Sequence, residues 1–175
     1  MKIITALIAF AATFGTSTAL TRLFVEKRQP LFTVSRTNQD VQTQQRILAL
    51  LRQDIQNGED RLDKCSQVAE FWELSASDRL KIYSKAVGEY SNESASIDDT
   101  NLPSDFQRAW RQHMKAWHDY SIYLEQLKKS AASQKMTDDE IDEQLNDRDD
   151  RINQTWYRAL VVASRYDADP YDDNE

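Results

Sequence analysis

The chain has 175 residues, 40 % of them hydrophobic and 29 % charged, with a net charge of -7. That length suits one folded domain, and the acidic balance argues against a basic groove for nucleic acid. The single cysteine, Cys65, excludes an internal disulfide framework, a CxxC redox pair and a multi-cysteine zinc site.

The chain opens with Lys2 and an uncharged run from Ile3 to Thr21. A short positive start followed by an apolar stretch is what export machinery reads. Ser17, Thr18 and Ala19 supply the small residues of a cleavage site. The run is also just long enough to cross a bilayer at ~1.5 Å per residue, although Gly15 and five threonines weaken it as a span. Residues 1–21 are therefore expected to be a signal peptide or a single-pass membrane anchor. Arg22, Lys27, Arg28 and Arg36 follow the run. The positive-inside rule sets them against an anchor whose main domain lies outside the cytoplasm. A cleaved signal avoids much of that conflict. Residues 22–36 read as a linker.

A helical bundle is expected over 37–166. Thr37 with Asp40 marks a helix start. Val41, Leu48, Ile55, Leu62 and Ala69 then fall at steps of seven, with Gln44, Leu51, Gly58, Cys65 and Trp72 at the companion positions. This register predicts one long helix with a weak point at Asn57-Gly58. Ser75 with Asp78 caps a short helix carrying Leu80, Tyr83, Val87 and Tyr90. Residues 91–102 are polar and aperiodic and read as the longest loop. Pro103 opens a third helix. Its stripe is Phe106, Trp110, His113, Trp117, Tyr120, Leu124 and Leu127, at alternating spacings of four and three. Thr137 and Glu140 form a capping box for a fourth helix bearing Ile141, Leu145, Ile152, Trp156, Ala159 or Leu160, Ala163 and Tyr166, interrupted by Arg148. The acidic tail 167–175 is expected to be disordered. The fold class is thus all-α: an N-terminal apolar helix followed by a heptad-patterned bundle of about four helices.

Chemistry-bearing motifs are scarce. His113 sits on the core stripe between Trp110 and Trp117, where a buried imidazole needs a hydrogen-bond partner or a metal. His118, five positions on, points about 140° away, so the two cannot share one metal from one helix. The chain has no Glu-x-x-His, GxSxG, GxGxxG or phosphate-loop sequence. No cofactor or metal is expected. Trp72, Trp110, Trp117 and Trp156 lie on or beside core stripes and read as core.

The expected function is a non-enzymatic helical interaction or scaffold domain, exported or membrane-tethered through residues 3–21. The alternative is a ligand-, haem- or metal-binding bundle centred on His113 and the tryptophans. Because the second helix looks shorter than the first, Leu48, Leu51 and Ile55 are expected to be uncovered. They would then serve self-association or a protein partner.

Overall fold

The computed structural model describes residues 37–68, 71–134 and 136–172. The expectations for residues 1–36 and Ala69, and for the side chains of Trp72, Leu145 and Arg148, lie outside the described residues. Among the described residues the chain is all-helical, with no strand. Four helices follow one another: α1 (Asn38–Ser66), α2 (Ala76–Ala95), α3 (Ser104–Gln134) and α4 (Asp138–Ala163). Short 3-10 turns cover Phe71–Glu73 and Ser164–Tyr166. No described helix is long and apolar enough to cross a membrane.

The helix starts obey local chemistry. The Ser75 hydroxyl accepts from the Asp78 amide at 3.2 Å and donates to the Asp78 carboxylate at 2.8 Å. Thr137 and Glu140 form the expected capping box, with the Thr137 amide donating to Glu140 Oε2 at 2.7 Å. The Asp78, Thr137 and Glu140 amides thereby gain partners that a helix start otherwise leaves open. Pro103 precedes α3, and its carbonyl accepts from the Gln107 amide at 2.9 Å.

Consecutive helices pack against each other and run antiparallel. Asn57 meets Ser94 and Lys64 meets Glu89 across α1 and α2. Ser84 meets Glu125, and Tyr90 meets Trp117, across α2 and α3. Across α3 and α4 the pairing repeats every seven residues. Arg151 reaches Asp119 (3.6 Å), Arg158 reaches Gln112 (3.2 Å), and Arg165, in the turn after α4, reaches Asp105 (3.5 Å). Residues 38–170 pack as one unit.

The α3 stripe is buried throughout, from Phe106 to Leu127, and Ala131 extends it by one turn. Ile141, Ile152, Trp156, Ala159 and Ala163 of α4 are buried as expected.

Three expectations are corrected. First, the buried face of α1 is Ile47, Leu51, Asp54, Gly58 and Arg61, joined by Leu48, Leu50 and Asn57. It is turned away from the apolar seam, so that Val41 is exposed and Ile55 and Leu62 are only half-buried. The helix rotates because charged and polar side chains of its inner face find partners on α2 and α3. Second, α2 does not stop at Tyr90. It continues to Ala95, with Ser91 and Ser94 buried. Third, Leu48 and Leu51 are not uncovered: both are buried, and Ile55 is half-buried. The N-terminal half of α1 is covered from the other end of the chain. The 3-10 turn after α4 packs against it, and the Gln44 amide donates to the Asp167 carbonyl at 2.8 Å. The same return orders the start of the tail. Asp167 adopts a left-handed conformation (φ 55°), and Ala168, whose amide donates to the Ala163 carbonyl, is buried.

Candidate functional site

The centre of the bundle holds a cluster of polar side chains drawn from all four helices. From α1 come Asp54, Asn57 and Arg61, one helical turn apart and each nine-tenths or more buried. From α2 come Tyr90 and Ser94, from α3 His113 and Trp117, and from α4 Thr155. Sequence periodicity singled out only His113, Trp117 and, as an apolar position, Tyr90. The 4–3–4–3 spacing of Ile47, Leu51, Asp54, Gly58 and Arg61 was the available signal. Reading it required admitting an aspartate and an arginine to a core face.

Most of the polar groups satisfy one another across helices; the exceptions are Arg61 Nε and Nη1, which are buried with no hydrogen-bond partner among the described residues. The Tyr90 hydroxyl donates to Asp54 Oδ1 at 2.7 Å, and Asn57 Nδ2 donates to Ser94 Oγ at 3.0 Å. Gln53 Nε2, at the margin, donates to Asn57 Oδ1 at 2.9 Å. Arg61 lays its guanidinium over two rings, 4.6 Å from the centre of Trp117 and 5.2 Å from that of Tyr90. These two rings meet edge to face at 4.6 Å. A delocalised cation over desolvated aromatic faces is a favourable way to bury an arginine.

His113 is held at both ring nitrogens. Trp117 Nε1–H donates to His113 Nε2 at 3.2 Å, which makes Nε2 the acceptor and places the imidazole proton on Nδ1. Nδ1 lies 3.1 Å from Thr155 Oγ1 and within reach of the Ile152 carbonyl. The Trp156 ring stacks obliquely at 5.1 Å. A ligand on either nitrogen would have to displace Trp117 or Thr155. His118 is exposed, on the opposite side of α3. Among the described residues no group of three or more His, Cys, Asp or Glu side chains could hold a metal ion.

Burial sets the protonation states. Desolvation pushes the Asp54 carboxyl from its ordinary 3.8 up to about 6, against the pull of Ser94, Tyr90 and the nearby Arg61 charge. Desolvation also pushes the His113 imidazole from 6.5 down to about 3, against its backbone hydrogen bond to Ile152. The Tyr90 phenol is raised well above its usual value by burial and by the Asp54 charge. Near neutral pH the cluster therefore holds one carboxylate, one guanidinium and a neutral imidazole. Asp54 Oδ2 stands 4.0 Å from His113 Nε2, a separation that does not ion-pair while the ring is neutral.

No protein-family model, curated protein or solved structure matches this chain.

Function must then be argued from the geometry alone. Asp54, Ser94 and His113 are respectively 4, 0 and 1 % exposed. A substrate could reach them only if the helices separated. What the cluster does in the closed bundle is join the helices: Asp54 to Tyr90, Asn57 to Ser94, and Thr155 to Trp117 through the imidazole. The thiol of Cys65 is half-buried, and burial raises its pKa, which disfavours the reactive thiolate.

The exposed surface offers a second feature. Tyr157 and Val161, one turn apart on α4, are 52 and 38 % exposed. Nearby, the outer face of α3 carries a shallow groove of about 430 Å³ lined by Ser104, Gln107, Arg108, Arg111, Gln112 and Lys115.

Proposed function

We propose that this chain is a non-enzymatic helical interaction module, working outside the cytoplasm as an exported protein or tethered through residues 1–21. The observation that carries the reading is that Asp54, Asn57 and His113 are each hydrogen-bonded across helices, to Tyr90, Ser94 and Thr155, while the Arg61 guanidinium lies over the Tyr90 and Trp117 rings. Chemistry that would otherwise suggest a catalytic or ligand site is spent on joining the bundle. The apolar side chains Tyr157 and Val161 instead face solvent on the last helix, next to Arg158. Tyrosine and arginine are the side chains that most often anchor protein interfaces. The N-terminal run supports the compartment, because a positive start, an apolar stretch and small residues at 17–19 are the elements of an export signal.

The test is a photo-crosslinking amino acid placed at position 157, and separately at position 85, in the full chain in its native host. Lys85 is 79 % exposed on α2 and serves as the control surface. Discrete adducts from position 157 and none from 85 are expected. Equal or absent adducts from the two positions would overturn the reading. N-terminal sequencing of the same material reads the compartment: a chain starting near residue 20 marks export, and retention of Met1 with membrane fractionation marks a tether. A full-length chain in the soluble cytoplasmic fraction would refute both.

A further inference from the structure

We infer that the outer face of α3 and α4 around Gln112 docks an acidic protein segment, one presenting two or more carboxylates to Arg108 and Arg158. This rests on the interaction reading above and names the chemistry of the partner.

The charge distribution is the starting point. The chain carries a net charge of -7, yet the first three turns of α3 expose Arg108, Arg111 and Lys115 at spacings of three and four. They lie on one side of the helix. Two of these cations are already neutralised within the chain. Arg111 forks onto Asp99, with Nε at 2.7 Å and Nη2 at 2.9 Å from the two carboxylate oxygens. Lys115 donates to both oxygens of Asp119 at 2.8 and 2.9 Å. Arg108 has no carboxylate partner among the described residues. In the ladder between α3 and α4, Arg151 and Arg165 face aspartates, but Arg158 faces the neutral amide of Gln112. A local excess of positive charge therefore centres on Gln112, at the groove.

The kind of partner follows from shape and from Asp99. The Arg111–Asp99 fork shows a carboxylate bound bidentately at the edge of this groove, and Arg108, nearly one turn earlier, presents the same fork to solvent. Bidentate guanidinium–carboxylate pairs are strong and directional. The surface is concave and short. Arg108 to Lys115 spans about 10 Å of helix, which suits side-chain carboxylates on a peptide better than a flat lipid surface or a long phosphate backbone. At 100° per residue, Val161 and Tyr157 lie progressively outward from Arg158 on α4. The partner thus meets an apolar patch beside the cations, the usual arrangement of an interface core and its charged rim.

The test uses a fluorescein-labelled peptide of about ten glutamates, read by anisotropy at low salt with the full chain. The wild type should bind, and the Arg108→Glu/Arg158→Glu double variant should bind at least about tenfold more weakly. A Lys81→Glu/Lys85→Glu variant, with the same change of net charge on exposed α2 positions, should bind as the wild type does. Circular dichroism of each variant confirms that the bundle is intact. No binding by the wild type, or equal weakening in both double variants, overturns the inference. Vesicles rich in phosphatidylserine and a single-stranded oligonucleotide are run alongside. Tighter binding of either than of the peptide, lost in the Arg108/Arg158 variant, would assign the face to that class instead and also overturns it. Adducts from position 157 that persist unchanged in the Arg108/Arg158 variant would leave the interaction module standing and remove only the acidic partner.

Discussion

Replacing Asp54 by asparagine should make the protein more stable at neutral pH, although it removes a buried charge that lies near a buried arginine. The side chain is fully enclosed, and its carboxyl titrates at about 6 instead of 3.8. Holding it ionised in the folded state then costs about 3 kcal/mol relative to the unfolded chain, at ~1.36 kcal/mol per pKa unit. Asparagine removes that cost and keeps an oxygen for the Tyr90 hydroxyl. His113 has the opposite sign. Its neutral form is favoured in the fold, so it contributes stability that is present above 6.5 and lost as the pH falls toward 3. Below about pH 6 the folded wild type binds a proton at Asp54 while the unfolded chain binds one at His113. Between about pH 6 and 4 the two slopes cancel. In Asp54→Asn only the His113 slope remains, about 1.4 kcal/mol lost per pH unit below 6.5. The advantage of the variant should therefore be about 3 kcal/mol near pH 7 and close to zero near pH 4. The exposed carboxylates are common to both proteins and drop out of the difference. Urea unfolding at a series of pH values measures it. A variant less stable than the wild type near pH 7 would refute the reasoning. Arg61 would then outweigh desolvation and make the Asp54 charge an asset.

Three other substitutions test the packing. Trp117→Ala should cost about 3–5 kcal/mol in urea unfolding, because it empties the space beneath Arg61 and strips the donor from His113 Nε2; a loss below about 1 kcal/mol would remove Trp117 from the core. Ser94→Ala should cost about 1–3 kcal/mol by orphaning the buried Asn57 amide, and Asn57→Leu in the same background should recover part of it; no recovery would mean that the hydrogen bond is not the source of the loss. Gly58→Ala should raise the melting temperature, with a gain of about 0.5–1 kcal/mol, since an added Cβ would meet only Tyr90 Cε2 at an ordinary 3.9 Å; destabilisation would show that α1 and α2 approach more closely than this distance indicates.

The apolar pattern made α3 legible because its core residues are nearly all hydrophobic, and the one exception, His113, has one partner, Trp117, a single turn away on the same stripe. The caps at Ser75 and Thr137 were legible because their chemistry is local. The face of α1 was not. Asp54 and Tyr90 are 36 residues apart, and Asn57 and Ser94 are 37 apart. Whether a polar side chain belongs inside depends on whether such a distant partner exists, and periodicity contains no record of it. The same blindness ended α2 too early, since Ser91 and Ser94 look like loop residues until Asn57 is placed beside them. The contact over the start of α1 was missed for a related reason: it comes from the far end of the chain, where the Asp167 carbonyl accepts from Gln44, in a segment whose composition suggested disorder.

The arginine ladder between α3 and α4 is degenerate under translation. Sliding α4 along α3 by seven residues, about 10 Å, would set Arg158 against Asp119 and Arg165 against Gln112, and two of three rungs would form again. Surface charge alone would accept either alignment. The imidazole would not. One such step puts Val162 where Thr155 meets His113, and the opposite step puts Arg148 there, so Nδ1 would lose its hydroxyl in both. The buried ring thus adds an index mark to an otherwise repeating scale, alongside Ile152 and Trp156, whose places in the core Ala159 and Ala163 would take in the first step.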